Sequence, residues 1–108
     1  MATKKEKRIL VSYLEVLLAH LIKWYSQPDK RSWNWIGSIN FARREILKLF
    51  NLAPSVKPFL DESIDKALPE AIKQAEKDMH QPQTMNLDEL KNPDLLFNQE
   101  FKIDDDKK

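Results

Sequence analysis

The stretch from Ile9 to Tyr25 constrains this chain more than any other. Placed at 100° intervals, Arg8, Ser12, Glu15, Ala19 and Lys23 fall in one narrow stripe. Leu10, Val11, Leu14, Leu17, Leu18, Leu21, Ile22 and Trp24 cover most of the remaining circumference. A surface helix usually turns about a third of its perimeter to the core, and this one turns more than half. The pattern predicts a central helix packed on at least two sides, stopped by Gln27-Pro28-Asp29 because Pro disfavours continuation. Glu15, His20 and Lys23 interrupt the apolar run, more polar groups than a membrane-spanning helix usually tolerates. The basic segment Met1 to Arg8 is not followed by a signal-type cleavage site. A cytoplasmic location with no membrane contact is the expectation.

A second helix is predicted from Ser32, an acceptable N-cap, to about Phe50, with Trp35, Ile36, Ile39, Ala42, Ile46, Leu47 and Phe50 on its apolar arc. Asn51 to Lys57 reads as a loop with Ser55 as the next N-cap and Pro58 near the first turn. The third helix carries Leu60, Ile64, Ala67, Leu68, Ala71, Ile72 and Ala75 on one face. Its phase survives Pro69, which removes the bond to the Asp65 carbonyl, so either one helix kinked there or two helices end to end are expected. Beyond His80 the pattern decays into Leu87, Leu90, Leu95, Leu96, Phe97 and Phe101 among Pro and Asn, as in a tail that wraps over the bundle. Asp104 to Lys108 reads as solvated and frayed. Gly37 is the chain's one glycine, and no strand-like alternation persists. The expected fold class is therefore all-α: a small bundle of three main helices (residues 1–80) with an irregular tail (81–108).

With no Cys and only His20 and His80 as imidazole ligands, thiolate chemistry and Cys-based zinc sites are excluded, and no cofactor or metal is predicted. No G-x-S-x-G, Walker loop or H-E-x-x-H occurs. The net charge of +1 conceals a division. Residues 1–57 hold eleven Lys and Arg against four acids, a net of +7, and residues 58–108 hold seven Lys against thirteen acids, a net of −6. The simplest account is that the acidic half docks on the basic half within one fold.

Two groups carry chemistry worth following. Arg43 falls inside the apolar arc of the second helix, where a guanidinium needs a carboxylate, backbone carbonyls or an aromatic face to offset desolvation. His20 and Trp24 are neighbours four apart on the first helix. With the two helices antiparallel, His20, Lys23, Trp24, Trp35 and Arg43 form one candidate cluster, either an anion site with a titratable imidazole or a cation–π brace of the core. Lys30, Arg31, Trp33 and Arg44 mix basic and aromatic groups, as single-strand binders do, and form the candidate nucleic-acid contact.

The run Tyr13 to Ile46, with Ala53-Pro54-Ser55 after it, resembles a bacterial family abundant in cyanobacteria, the domain-of-unknown-function family number twenty-nine. The family pattern of a leucine-rich helix ending H-L-L-K-W, then Q-P, then Arg-Ser, falls here on His20-Leu21-Ile22-Lys23-Trp24, Gln27-Pro28 and Arg31-Ser32. Its later Trp, Ser-Ile, Arg and P-S-L fall on Trp35, Ser38-Ile39, Arg43 and Pro54-Ser55-Val56. The resemblance implies an all-α fold and brings no activity, substrate or cofactor. Family members usually begin with a further acidic helix, so the resemblance implies a member shortened at its N-terminus, or half of a split one. The polar pair before the family Arg is Phe41-Ala42 here, and a later family Tyr and Arg correspond to Leu68 and Ile72.

Three helices and a tail provide few neighbours for so broad an apolar first helix, and exposed patches of that size mark interfaces. The expected function is a protein–protein interaction or regulatory module that forms a homo-oligomer or is completed by a partner protein supplying an acidic helix. A nucleic-acid-binding role for the basic half is the alternative. An enzyme using His20 and Arg43 is the second alternative, with no catalytic residues assignable.

Overall fold

The computed structural model describes residues 1–103, so the fraying expected of residues 104–108 lies outside the described part. Three long helices run through it: α1 (Lys4–Ser26), α2 (Trp33–Leu52) and α3 (Leu60–Met79). Short 3-10 turns at Pro28–Lys30 and Pro54–Phe59 join them, and the chain then passes through turns at Leu87–Lys91 and Asp94–Asn98. No strand occurs among the described residues, and the fold is the expected all-α bundle of three helices with an irregular tail.

Helix α1 begins five residues earlier than the apolar periodicity implies, because Thr3 and Glu6 close a capping box. The Glu6 N–H donates to Thr3 Oγ1 and the Thr3 N–H donates to Glu6 Oε1, both at 3.0 Å. Ser32 caps α2 as expected, its hydroxyl accepting from the Trp35 N–H at 3.2 Å. Ser55 does not cap α3. It lies inside the 3-10 turn Pro54–Phe59, whose two prolines suit tight turns, and α3 follows directly from Leu60. α3 continues through Pro69 as one helix and ends on His80, which takes the left-handed conformation (φ 58°) and donates its N–H to the Glu76 carbonyl.

α1 is the core of the molecule. Leu10, Leu14, Leu17, Leu18, Leu21 and Ile22 are all 0% exposed. α3 lies against α1 through Ala67, Ala71 and Ala75, small residues at four-residue spacing that let the two backbones approach. α2 packs on another side through Ile39, Ala42 and Ile46. The tail closes what remains with Leu90, Leu95, Leu96 and Phe101. The under-covered first helix inferred from the sequence is therefore covered within this one chain, and only Val16, at 37%, stands exposed among its large apolar residues from Leu10 onward. By length and composition alone α1 is apolar enough to cross a bilayer, and half of its most apolar window is buried in the fold.

The polar stripe of α1 also differs from the helical-wheel reading. Ala19 and Lys23 are both buried, because α3 crosses above them. The exposed large apolar side chains lie chiefly on α2: Trp33 (57%), Phe41 (45%), Leu47 (48%) and Leu52 (76%). Leu47, placed on the core arc from the sequence, faces outward because the core-facing arc of α2 is narrower than that reading made it.

Candidate functional site

Arg43 is the most unusual side chain in the fold. It is 8% exposed and projects from α2 into the tail. Its Nε donates to the Leu96 carbonyl at 2.7 Å, Nη2 to the Leu95 carbonyl at 2.7 Å and Nη1 to the Gln99 carbonyl at 2.6 Å. Its Cζ lies 5.0 Å from the Phe101 ring centroid. Leu95, Leu96 and Gln99 sit in and just after the Asp94–Asn98 turn, whose free carbonyls form a negative end that receives the cation. No ion pair to Arg43 occurs among the described residues, and burial lowers its pKa from the ordinary guanidinium value. Of the three ways to offset its desolvation, the fold uses carbonyls and an aromatic face.

The other members of the predicted cluster are distributed elsewhere. His20 Nδ1 lies 2.8 Å from the Val16 carbonyl, one turn back on its own helix. It lines a shallow hollow between α1 and α3 with Glu15, Val16, Ala19, Glu70 and Gln74. Burial is the main cause that lowers its pKa, with the Val16 bond opposing; Lys23 lowers it further and Asp78 raises it. In the same hollow burial raises the Glu15 pKa, and the nearby Glu70 adds to the rise. No group of three metal-ligating side chains assembles among the described residues.

Lys23 is buried and its Nζ donates to Asp78 Oδ2 at 2.9 Å, tying α1 to the end of α3. The Asp78 carboxylate also accepts from Gln74 Nε2 at 3.1 Å, and the Lys23 hydrogen bond is the main cause that lowers its pKa. Lys23 Nζ lies 5.7 Å from the Trp35 ring centroid, so these two members do meet. Trp24 is buried edge-on to Phe101, with ring centroids 5.1 Å apart. The five residues thus divide into a Lys23–Trp35 contact, a Trp24 and Arg43 pair joined through Phe101, and His20, which is bonded to Val16 and linked to the others only through the charges of Lys23 and Asp78.

The predicted nucleic-acid group divides as well. Arg31 turns inward, its Nε donating to the Trp24 carbonyl at 2.9 Å and its Cζ lying 4.6 Å from the Trp24 ring. Lys30, Trp33 and Arg44 remain exposed. The tail carbonyls that hold Arg43 have no side-chain signature in the sequence. The aromatic face expected of Trp24 or Trp35 is supplied by Phe101 instead.

A tail-braced bundle of three helices, with a buried cation fastening the tail, is the class of protein that this geometry defines. The model of the family described as Domain of unknown function DUF29 matches residues 2–101, and the chain belongs to that family. Comparison with curated proteins and with solved structures gave no match.

Proposed function

We propose that the chain is a protein–protein interaction module whose contact surface is the outer face of α2, and that its occupant is an acidic amphipathic helix of a partner protein. The observation that carries this reading is the concentration of exposed apolar side chains on α2. Trp33, Phe41, Leu47 and Leu52 fall within an arc of about 140° and along about 28 Å of helix. Four large apolar groups left on one helix face are an interface signature.

Two further features indicate the partner's chemistry. Arg44 and Lys48 share the face, and the helix's one acid, Glu45, is half-buried with its carboxylate 3.5 Å from Lys48 Nζ. The face therefore offers cations and apolar groups with no free carboxylate, which suits a helix with an apolar ridge flanked by Glu or Asp. Gly37 lies on the same face, and a Cβ added there would meet nothing within 4 Å. A mid-helix glycine costs about 1 kcal/mol relative to Ala, and no contact within this chain requires it. Close approach by another helix supplies a reason.

Nucleic-acid binding is less favoured, because Arg31 is committed to Trp24 and two leucines occupy the face. An enzyme that uses His20 with Arg43 has no geometric support, since the two groups line different depressions.

The test is a titration of the labelled chain with two helical peptides of one apolar ridge, flanked by Glu in one and by Lys in the other. The Glu peptide is expected to shift the Trp33 indole N–H saturably, and Leu47→Asp with Leu52→Asp, the two exposed leucines of the face, is expected to abolish the shift while the chain still unfolds cooperatively. No shift from either peptide, or equal shifts from both, overturns the reading. A concentration-dependent dimer lost on Leu47→Asp would assign the face to a second copy and overturn the choice of partner.

A further inference from the structure

An open cleft of about 530 Å³ lies between the start of α2 and the chain at residues 98–102. Trp33, Ile36, Asn40 and Arg43 line it from α2, and Asn98 and Lys102 from the tail. We propose that this cleft is a binding site for a carboxylate carried on an aromatic or apolar body, with Arg43 as the fixed cation and Trp33 as the wall. The cleft shares Trp33 with the partner face proposed on α2, but the inference does not need that partner.

The argument begins with charge. Arg43 is more than nine-tenths buried, and its contacts are carbonyl dipoles and a ring face, so its full positive charge has no counter-ion in the described chain. A buried cation without an anion gains by acquiring one. A guanidinium has five N–H donors, and the three carbonyl bonds leave two, one on each Nη atom. Guanidinium N–H groups are charge-assisted donors suited to a carboxylate.

The surroundings favour a singly charged ligand. Asn40 brings an amide to the same cleft and Lys102 a second cation, while the Asn98 amide that also lines it donates to Asp94 Oδ1 at 2.8 Å. Glu100 also borders it, its Oε1 3.8 Å from Lys102 Nζ, with both side chains exposed. That carboxylate opposes a phosphate dianion more than a carboxylate. The indole of Trp33, 57% exposed, offers an apolar wall on which an aromatic body can stack.

The probe is N-acetyl-phenylalanine, titrated at low salt into the labelled full chain, with its uncharged amide as control. The acid is expected to move the Trp33 indole N–H and the Asn40 and Asn98 side-chain amides saturably, and the amide to leave them in place. Lys102→Glu is expected to weaken binding about fivefold and Glu100→Gln to tighten it about twofold, both exposed side chains that take no part in the bonds of Arg43. These variants keep the test informative if Arg43→Lys loosens the tail. The proposal is overturned by no saturable shift, by equal response to acid and amide, or by affinity that ignores both charge changes. The probe is too small to reach Leu47 and Leu52, so failure here and failure of the α2 partner face are separable.

Discussion

Arg43 Nε donates to the Leu96 carbonyl at 2.7 Å, and this pair joins residues 53 positions apart in the chain. It is the centre of a three-bond clasp by which α2 holds the tail, and the tail in turn covers α1. Removing the clasp exposes three carbonyls and loosens the cover. Arg43→Met is expected to cost about 3 kcal/mol and Arg43→Lys about 2 kcal/mol, since an ammonium keeps the charge but not the fork. Urea unfolding measures the loss. Amide exchange should rise first between Leu90 and Phe101, ahead of the helices.

Lys23 and Asp78 fix the end of α3 on α1. Asp78 has a folded pKa below its ordinary value of 3.8, so its contribution is present above that value and is lost as pH falls through the lower folded one. Its side chain is 40% exposed, and solvent screens much of the interaction. Asp78→Asn is expected to cost about 1 kcal/mol at neutral pH, by leaving the buried Lys23 without its counter-charge, and almost nothing at strongly acidic pH. Chemical denaturation at both conditions checks this.

His20 behaves differently with pH. Its folded pKa lies below 6.5, so the unfolded chain takes up the proton first. Stability is highest with the ring neutral and falls as pH drops through 6.5 toward the lower folded value. His20→Gln is expected to remove this part of the pH dependence while unfolding remains cooperative. Unfolding midpoints of both chains between about pH 7.5 and 5 give the measurement.

Gly37→Ala separates the needs of the fold from those of a partner. Nothing lies within 4 Å of the added Cβ, so the isolated chain is expected to gain about 0.5–1 kcal/mol. The same change is expected to weaken the acidic peptide on α2, because a methyl group then stands where the helices would meet. Thermal unfolding and peptide titration of one variant test both halves.

The helices were legible because each buries one continuous arc, and Ser32 and the Gln27-Pro28 stop gave clear boundaries. Thr3 and Glu6 carried a capping box in plain view, yet the apolar periodicity alone places the start of α1 later. Leu47 was misplaced for a related reason: a helical wheel gives angles but not where the partner helix ends. Arg43 was recognisable as a buried cation, while its partners were not, since backbone carbonyls of Leu95, Leu96 and Gln99 leave no trace in side-chain identity. The breadth of apolar surface on α1 was also read correctly. A tail wrapping over the bundle was expected from Leu90, Leu96 and Phe101, and it does so; what the sequence hid is that this tail, with α2 and α3, is enough to cover α1.

The most direct measurement of the α2 contact face is oxidative footprinting of the chain with and without the Glu-flanked helical peptide. Protection is expected at Trp33, Phe41, Leu47 and Leu52, with Val16 on α1 unchanged as the internal reference. Protection centred on Val16, or an unchanged pattern at saturating peptide, would contradict the assignment of α2 as the surface this protein presents to its partner.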